Sequence, residues 1–226
     1  VLFSAGSYDT YLARYDANGS LQWVLRGGGM GEDIGADVAV DQQDAAHLTG
    51  WFSGSANYSG RVLTTAGAMD SFVAKYSSGG SLLWMQTAGE VRDDVGKGIT
   101  VDTNGNTYAL RIFDANQASQ PPRLRIAKYD VDGILRWERE AYDTFDAGHC
   151  AIAADARGCF VTGAFKGTAT FGQKAYESTA PSGRATLIGA GDLDVFVASY
   201  DTEGALRWVR RAGGSTADFG AGIAAS

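Results

Sequence analysis

Proline, cysteine and histidine are scarce in this chain, with three, two and two copies among 226 residues. His47 and His149 fall at unrelated places, and neither sits in a spacing that zinc ligands use. No Ser, His and acid set or Cys and His pair stands out, so hydrolytic and metal catalysis find no support. No apolar run approaches the ~20 residues that cross a bilayer as a helix, and the amino terminus has no basic region followed by an apolar stretch, so membrane insertion is not expected. Lys and Arg are scattered singly in a chain of formal charge −7, which leaves no electrostatic footprint for nucleic acid.

The two cysteines, Cys150 and Cys159, lie in DAGHCAIAADARGCF, which reads as two short strands around a turn at Asp155 to Gly158. Pairing Ala154 with Cys159 sets Cys150 opposite Gly163, roughly 13 Å from Cys159 at the rise of a strand. That separation is too long for a disulfide, so both are read as small buried hydrophobes.

What the chain has in quantity is glycine and aromatics: 31 Gly, ten Phe, ten Tyr and five Trp. Short aromatic-bearing strands joined by tight turns are the expected result, an all-β chain. A repeat organises them. YDTYLARYDANGSLQW, MDSFVAKYSSGGSLLW, PRLRIAKYDVDGILRW and LDVFVASYDTEGALRW end at Trp23, Trp84, Trp137 and Trp208, at intervals of 61, 53 and 71 residues. A second block follows each and contains Asp33, Asp94, Asp146 and Asp218, at intervals of 61, 52 and 72. Two landmarks that keep step to within one residue define a repeating unit.

Each unit holds four candidate strands, which in the second copy are ADVAVD, AHLTGWF, DSFVAKY and LLWMQTA. The turns DANG, SSGG, DVDG and DTEG between third and fourth strands are hairpin turns, because Asp bonds its own backbone and Gly accepts positive φ. The block after each Asp is rich in Gly and Ala, as strands converging on an axis must be. The expected fold is a β-propeller of four-stranded antiparallel blades. About four blades are present, three complete and one a composite of the N- and C-terminal strands, or else the chain is part of a larger ring. The units run approximately over 1–32 (partial), 33–93, 94–145, 146–217 and 218–226 (partial), in a single domain. The composite lacks a second strand, so donation from elsewhere in a longer chain, or from another chain, is an expected route to completion.

MDSFVAKYSSGGSLLW, DVGKGITVDTNGNTY and CFVTGAFKGTATFG together resemble the bacterial SBBP β-propeller repeat. The resemblance spans nearly the whole chain and implies a secreted or cell-surface bacterial scaffold without assigned chemistry, with the periplasm as the other compartment. That family is described as seven-bladed, against four copies here. The third copy departs from the pattern, with Leu110 and Arg111 where others have Thr-Gly.

Asp33, Asp94, Asp146 and Asp218 recur in every unit just before the innermost strand. On a closed ring they would form a circle of carboxylates at one mouth of the channel, able to hold a cation such as calcium or to raise one another's pKa. The plainer role, and the preferred one, is that each accepts backbone N–H groups in a tight Asp-x-Gly turn. RGGGMGED reads as a connector between units and not a phosphate loop, because its equivalents differ and no helix follows. The Asp-rich turns lack the further carboxylates of a calcium loop. No cofactor is otherwise expected. The expected function is a non-catalytic binding module for protein or glycan, or a structural spacer. The alternative is a polysaccharide-acting propeller enzyme domain, hydrolase or lyase, with paired acids drawn from distant blades. The long fourth-unit connection QKAYESTAPSGRATLIGAGD, with Tyr176, reads as an insertion tolerated at the periphery, with contact to a partner as the alternative.

Overall fold

Alternating apolar positions and glycine turns produce strands throughout and no helix among residues 1–114, 122–173 and 184–225, which this computed structural model describes. The strands are β1 (Thr10–Tyr15), β2 (Leu21–Gly29), β3 (Ile34–Val40), β4 (Ala46–Tyr58), β5 (Arg61–Tyr76), β6 (Leu82–Ala88) and β7 (Val95–Val101). They continue as β8 (Thr107–Phe113), β9 (Arg123–Tyr129), β10 (Leu135–Asp155), β11 (Gly158–Gln173), β12 (Ala185–Ile188), β13 (Asp194–Asp201) and β14 (Leu206–Ala212). Residues 174–183 of the long fourth-unit connection, Tyr176 among them, lie outside the described residues.

Consecutive strands pair antiparallel in meanders with matching registers. In the second unit β3, β4, β5 and β6 pair through Val38↔Leu48, Leu48↔Ala74 and Ala74↔Met85. The third unit repeats this with β7, β8, β9 and the start of β10, through Ile99↔Ala109, Ala109↔Ala127 and Ala127↔Glu138. The end of β10 with β11, β13 and β14 gives the fourth, through Ile152↔Val161, Val161↔Ala198 and Ala198↔Val209. β1 and β2 supply only the final hairpin of such a unit. Because β10 closes one meander and opens the next, it fuses two units into one sheet, whose path from β14 to β7 is a curled run of antiparallel strands.

The hairpin turns work as their composition dictates. Asp16 Oδ1 accepts the N–H groups of Asn18 and Ser20 at 2.9 and 2.8 Å, and Gly19 donates to the Asp16 carbonyl at 3.0 Å. Asp130 and Asp201 hold their turns the same way. The glycine each turn requires has φ of 80° at Gly19, 78° at Gly133 and 77° at Gly204, where a Cβ would be strained.

Each tryptophan joins its unit to the next. The indole N–H of Trp23 donates to the Ser78 carbonyl at 2.9 Å, that of Trp84 to Val131 at 3.0 Å, and that of Trp137 to Thr202 at 2.9 Å. All three acceptors lie in the hairpin turn of the following unit, and the rings pack on the turn glycines Gly80, Gly133 and Gly204. Trp208 meets no such turn among the described residues and is 38% exposed, against 9% for Trp84 and 8% for Trp137.

First strands of successive units also touch. β3 contacts β7 and β7 contacts β10. The Ile99 N–H donates to Asp37 Oδ2 at 2.9 Å. Gly98 lies so close to Ile152 that an added Cβ would sit 3.2 Å from its Cγ2. Small residues are therefore a requirement of close strand approach. Three apolar clusters fill the layers between units, among them Val73, Trp84, Ile99, Ala109, Ala127 and Tyr129 between the second and third.

Residues 213–225 form no strand. The Asp218 N–H donates to the Leu193 carbonyl at 2.9 Å, and Gly220 packs against Thr162 and Gly163 as Gly96 packs against Thr49 and Gly50. The segment thus sits where a following first strand belongs. The composite unit expected from the two ends has no ladder: in each complete unit the first strand bonds to a second strand, and among the described residues none stands between 219–225 and β1. Cys150 pairs with Gly163 and Ala154 with Cys159, the expected register, and both cysteines are free.

Candidate functional site

The recurrent carboxylates are turn caps. Asp33 Oδ2 accepts the Gly29 N–H at 2.7 Å, Asp94 Oδ2 that of Glu90 at 2.5 Å, and Asp218 Oδ2 that of Gly214 at 2.9 Å. Their own N–H groups donate to Tyr8, Met69 and Leu193 carbonyls, each at 2.9 Å. Asp146 departs from the set. It lies inside the continuous strand β10, where no loop precedes it, and accepts instead from Gly148 N–H at 2.6 Å and faces His149 Nδ1 at 3.2 Å. Burial pushes Asp94 up to about 6, against the lowering effect of its N–H donors, with the neighbouring Glu90 and Asp114 charges adding to the rise. Asp33 is raised for the same first reason, with Asp9 contributing. Among the described residues no group of three or more His, Cys, Asp or Glu is placed to hold a metal ion.

A second carboxylate recurs at one place along the third strand in three of the four units. Asp9, Asp70 and Asp194 accept the N–H of Ala5, Ala66 and Ala190 at 2.7, 2.9 and 2.7 Å. Arg26 pairs with Asp9 and Arg211 with Asp194, both at 2.8 Å. In the third unit the same two places hold the opposite charges, Arg123 and Glu140, 3.0 Å apart. In the second unit the cation's place is taken by Thr87, which faces Phe72 as Arg211 faces Phe196. Asp70 Oδ1 is left buried without a hydrogen-bond partner, and burial raises its pKa over the effect of the Ala66 and Gly67 N–H groups.

The charge reversal belongs to a larger cluster confined to the third unit. Arg111 takes the position of Gly50 and Gly163, and Arg125 that of Phe72 and Phe196, as the registers show. Arg111 is 1% exposed. One of its Nη groups lies 2.5 Å from the Tyr129 hydroxyl and 3.2 Å from Glu138 Oε1, while its Nε is buried with no hydrogen-bond partner. Arg125 meets Glu90 and Glu140 at 3.2 Å each and stacks on the Phe113 ring, with 3.8 Å from Cζ to the centroid. Arg123 bridges Glu90, Asp114 and Glu140 at 2.9 to 3.0 Å.

Beside these side chains lies a cavity of about 340 Å³, lined by Gln86, Arg111, Phe113, Arg125, Tyr129 and Glu138, with β6 backbone at Thr87 to Gly89 on its other wall. At the other junctions aromatics occupy the corresponding layer. Tyr58, from the extension of β4, packs on Phe72 at 4.8 Å, and Phe171, from the extension of β11, packs on Phe196 at 5.0 Å. In the third unit β8 ends at Phe113 and β9 begins at Arg123, so the described residues contain no such extension. Arginines stand in place of glycine and phenylalanine, and among the described residues no aromatic from such an extension covers them.

The structure also assembles a hydroxyl, imidazole and carboxylate that sequence reasoning missed. Thr107 Oγ1 is 2.8 Å from His47 Nδ1, whose Nε2 is 3.2 Å from Asp41 Oδ2, and Lys75 Nζ approaches the same oxygen at 2.9 Å. Burial lowers the His47 pKa, opposed by its bond to Asp41. Burial would raise Asp41, but bonds from Lys75, the Ala45 and Gln43 N–H groups and His47 outweigh it and hold the carboxyl at about 2. Thr107 and His47 are wholly buried, so no substrate reaches the hydroxyl and the relay ties the second unit to the third. No protein-family model matches the chain, and no curated protein matches it.

Proposed function

We propose that this chain forms all or part of a β-propeller of the SBBP repeat type and serves as a non-catalytic binding module of an exported bacterial protein, taking a glycan or protein ligand. Four features support the ring reading: meanders of equal register, first strands side by side, indole bonds from each unit to the next, and a terminal segment seated as a further first strand. The observation that carries binding over plain scaffolding is the third unit's replacement of small and aromatic residues by Arg111 and Arg125 beside an open cavity. A purely structural layer gains little from buried ion pairs over apolar packing of the same volume. The acids nearest the cavity are engaged by arginines, which suits recognition better than proton transfer.

The experiment is a glycan and protein-ligand array probed with the intact chain, beside a panel of polysaccharide hydrolase and lyase assays. Saturable capture without turnover is the expected result. Turnover abolished by a single Glu138→Gln or Glu140→Gln exchange would replace the module by an enzyme.

A further inference from the structure

We infer that the cavity between β6 and the face of β8, β9 and β10 is a recognition pocket for one uncharged sugar residue, read through neighbouring ring hydroxyls. This rests on the binding-module reading and names the ligand class for it. The volume, about 340 Å³, is of the size that small-molecule sites have, roughly 300–1,000 Å³, and too confined for a protein surface.

Charge selects next. Arg111 is answered by Glu138, and Arg125 by Glu90 and Glu140. The cluster therefore offers no uncompensated charge to a free carboxylate, phosphate or amine. Hydrogen-bonding capacity selects further. Arg111 Nε carries a buried N–H with no acceptor, an arrangement costly enough that native proteins seldom leave it unmet. Glu138 accepts from Arg111 at 3.2 Å and retains acceptor capacity for another donor. A ligand that accepts from Arg111 and donates to Glu138 from adjacent atoms satisfies both, and vicinal hydroxyls on a sugar ring do so at fixed spacing. Tyr129 and Leu135 in the lining give the ring's C–H face an apolar wall.

Ala88 provides a test that leaves the charge cluster intact. It lines the cavity on the face of β6 that carries Trp84 and Gln86, whereas Thr87 alternates to the face of Met85 and Phe72. Ala88→Leu narrows the cavity and is expected to abolish binding while the melting temperature holds.

The experiment uses the intact chain, calorimetry and saturation-transfer NMR. The probes are methyl glycosides of glucose, galactose and mannose, a deoxy analogue of each, and galacturonate. Binding of at least one neutral glycoside is expected, with a loss of at least tenfold (~1.4 kcal/mol) on removing one hydroxyl and the same loss in Arg111→Gln and Ala88→Leu. Binding of galacturonate in preference to every neutral glycoside would overturn the assignment, as would wild-type affinity in Ala88→Leu with an unchanged melting temperature. Absence of transfer from all probes at ~10 mM, above the weak millimolar range, would overturn it too. Array capture that survives both substitutions removes this pocket and leaves the module standing, whereas a blank array removes both.

Discussion

Single residues set opposing pH responses. Asp94 titrates near 6 in the folded chain against 3.8 when unfolded, so between those values the folded state holds a proton that the unfolded state has lost. Its contribution is complete below pH ~4 and is lost as pH rises through about 6. His47 runs the other way. Its folded pKa lies below 6.5, so the unfolded chain binds the proton first and stability falls as pH drops beneath 6.5. Urea unfolding from pH 4 to 7.5 separates them. Asp94→Asn should gain on the wild type as pH rises, and His47→Gln should gain as pH falls. The relay of His47 with Thr107 was illegible in the sequence, because the two are sixty positions apart and meet only where unit two lies on unit three. That Asp33, Asp94 and Asp218 accept backbone N–H groups was legible, but the donors lie four residues upstream and not in the Asp-x-Gly turn, which is a matter of loop geometry. Asp146 accepts from its own Asp-x-Gly glycine, Gly148, because the strand runs on through it and no loop precedes it.

Among elements, the tryptophan and the turn it meets act as one joint. Trp84→Ala should cost about 3–5 kcal/mol by the usual size of a core aromatic deletion, and Trp208→Ala a small fraction of that, because no turn among the described residues covers it. Chemical denaturation of the two variants measures the difference. Glycine exchanges separate backbone strain from contact. Gly19→Ala meets only the left-handed backbone, ~1–2 kcal/mol, since nothing lies within 4 Å, whereas Gly133→Ala also drives a Cβ to 2.6 Å from Trp84 and should cost more. The strands, turns and indole spacing were all readable, being local patterns repeated in step. The cavity was not. Leu110 and Arg111 looked like decay of a motif, and only the registers show that Arg111, Arg125, Glu138 and Glu140, spread over β8, β9 and β10, converge.

For the whole molecule, burial is uneven along the series of units. Every residue of β8 is buried and nearly every one of β9, whereas no residue of β3 is buried and four of its seven are exposed. Native-state hydrogen exchange should therefore find the slowest amides in β8 and β9 and much faster ones in β3 and β1. Equal protection across units would contradict a series coupled neighbour to neighbour. The joining of units was visible in the sequence only as an interval, since spacing says that units repeat and not what binds them. Indole N–H bonds supply that link, and they carry an optical consequence. Trp23, Trp84 and Trp137 each report by emission colour on one specific seam, and Trp208 supplies a solvent-exposed reference within the same chain. Replacing Trp51 and all but one of these four by phenylalanine would let the opening of each seam be followed separately, with no dye attached.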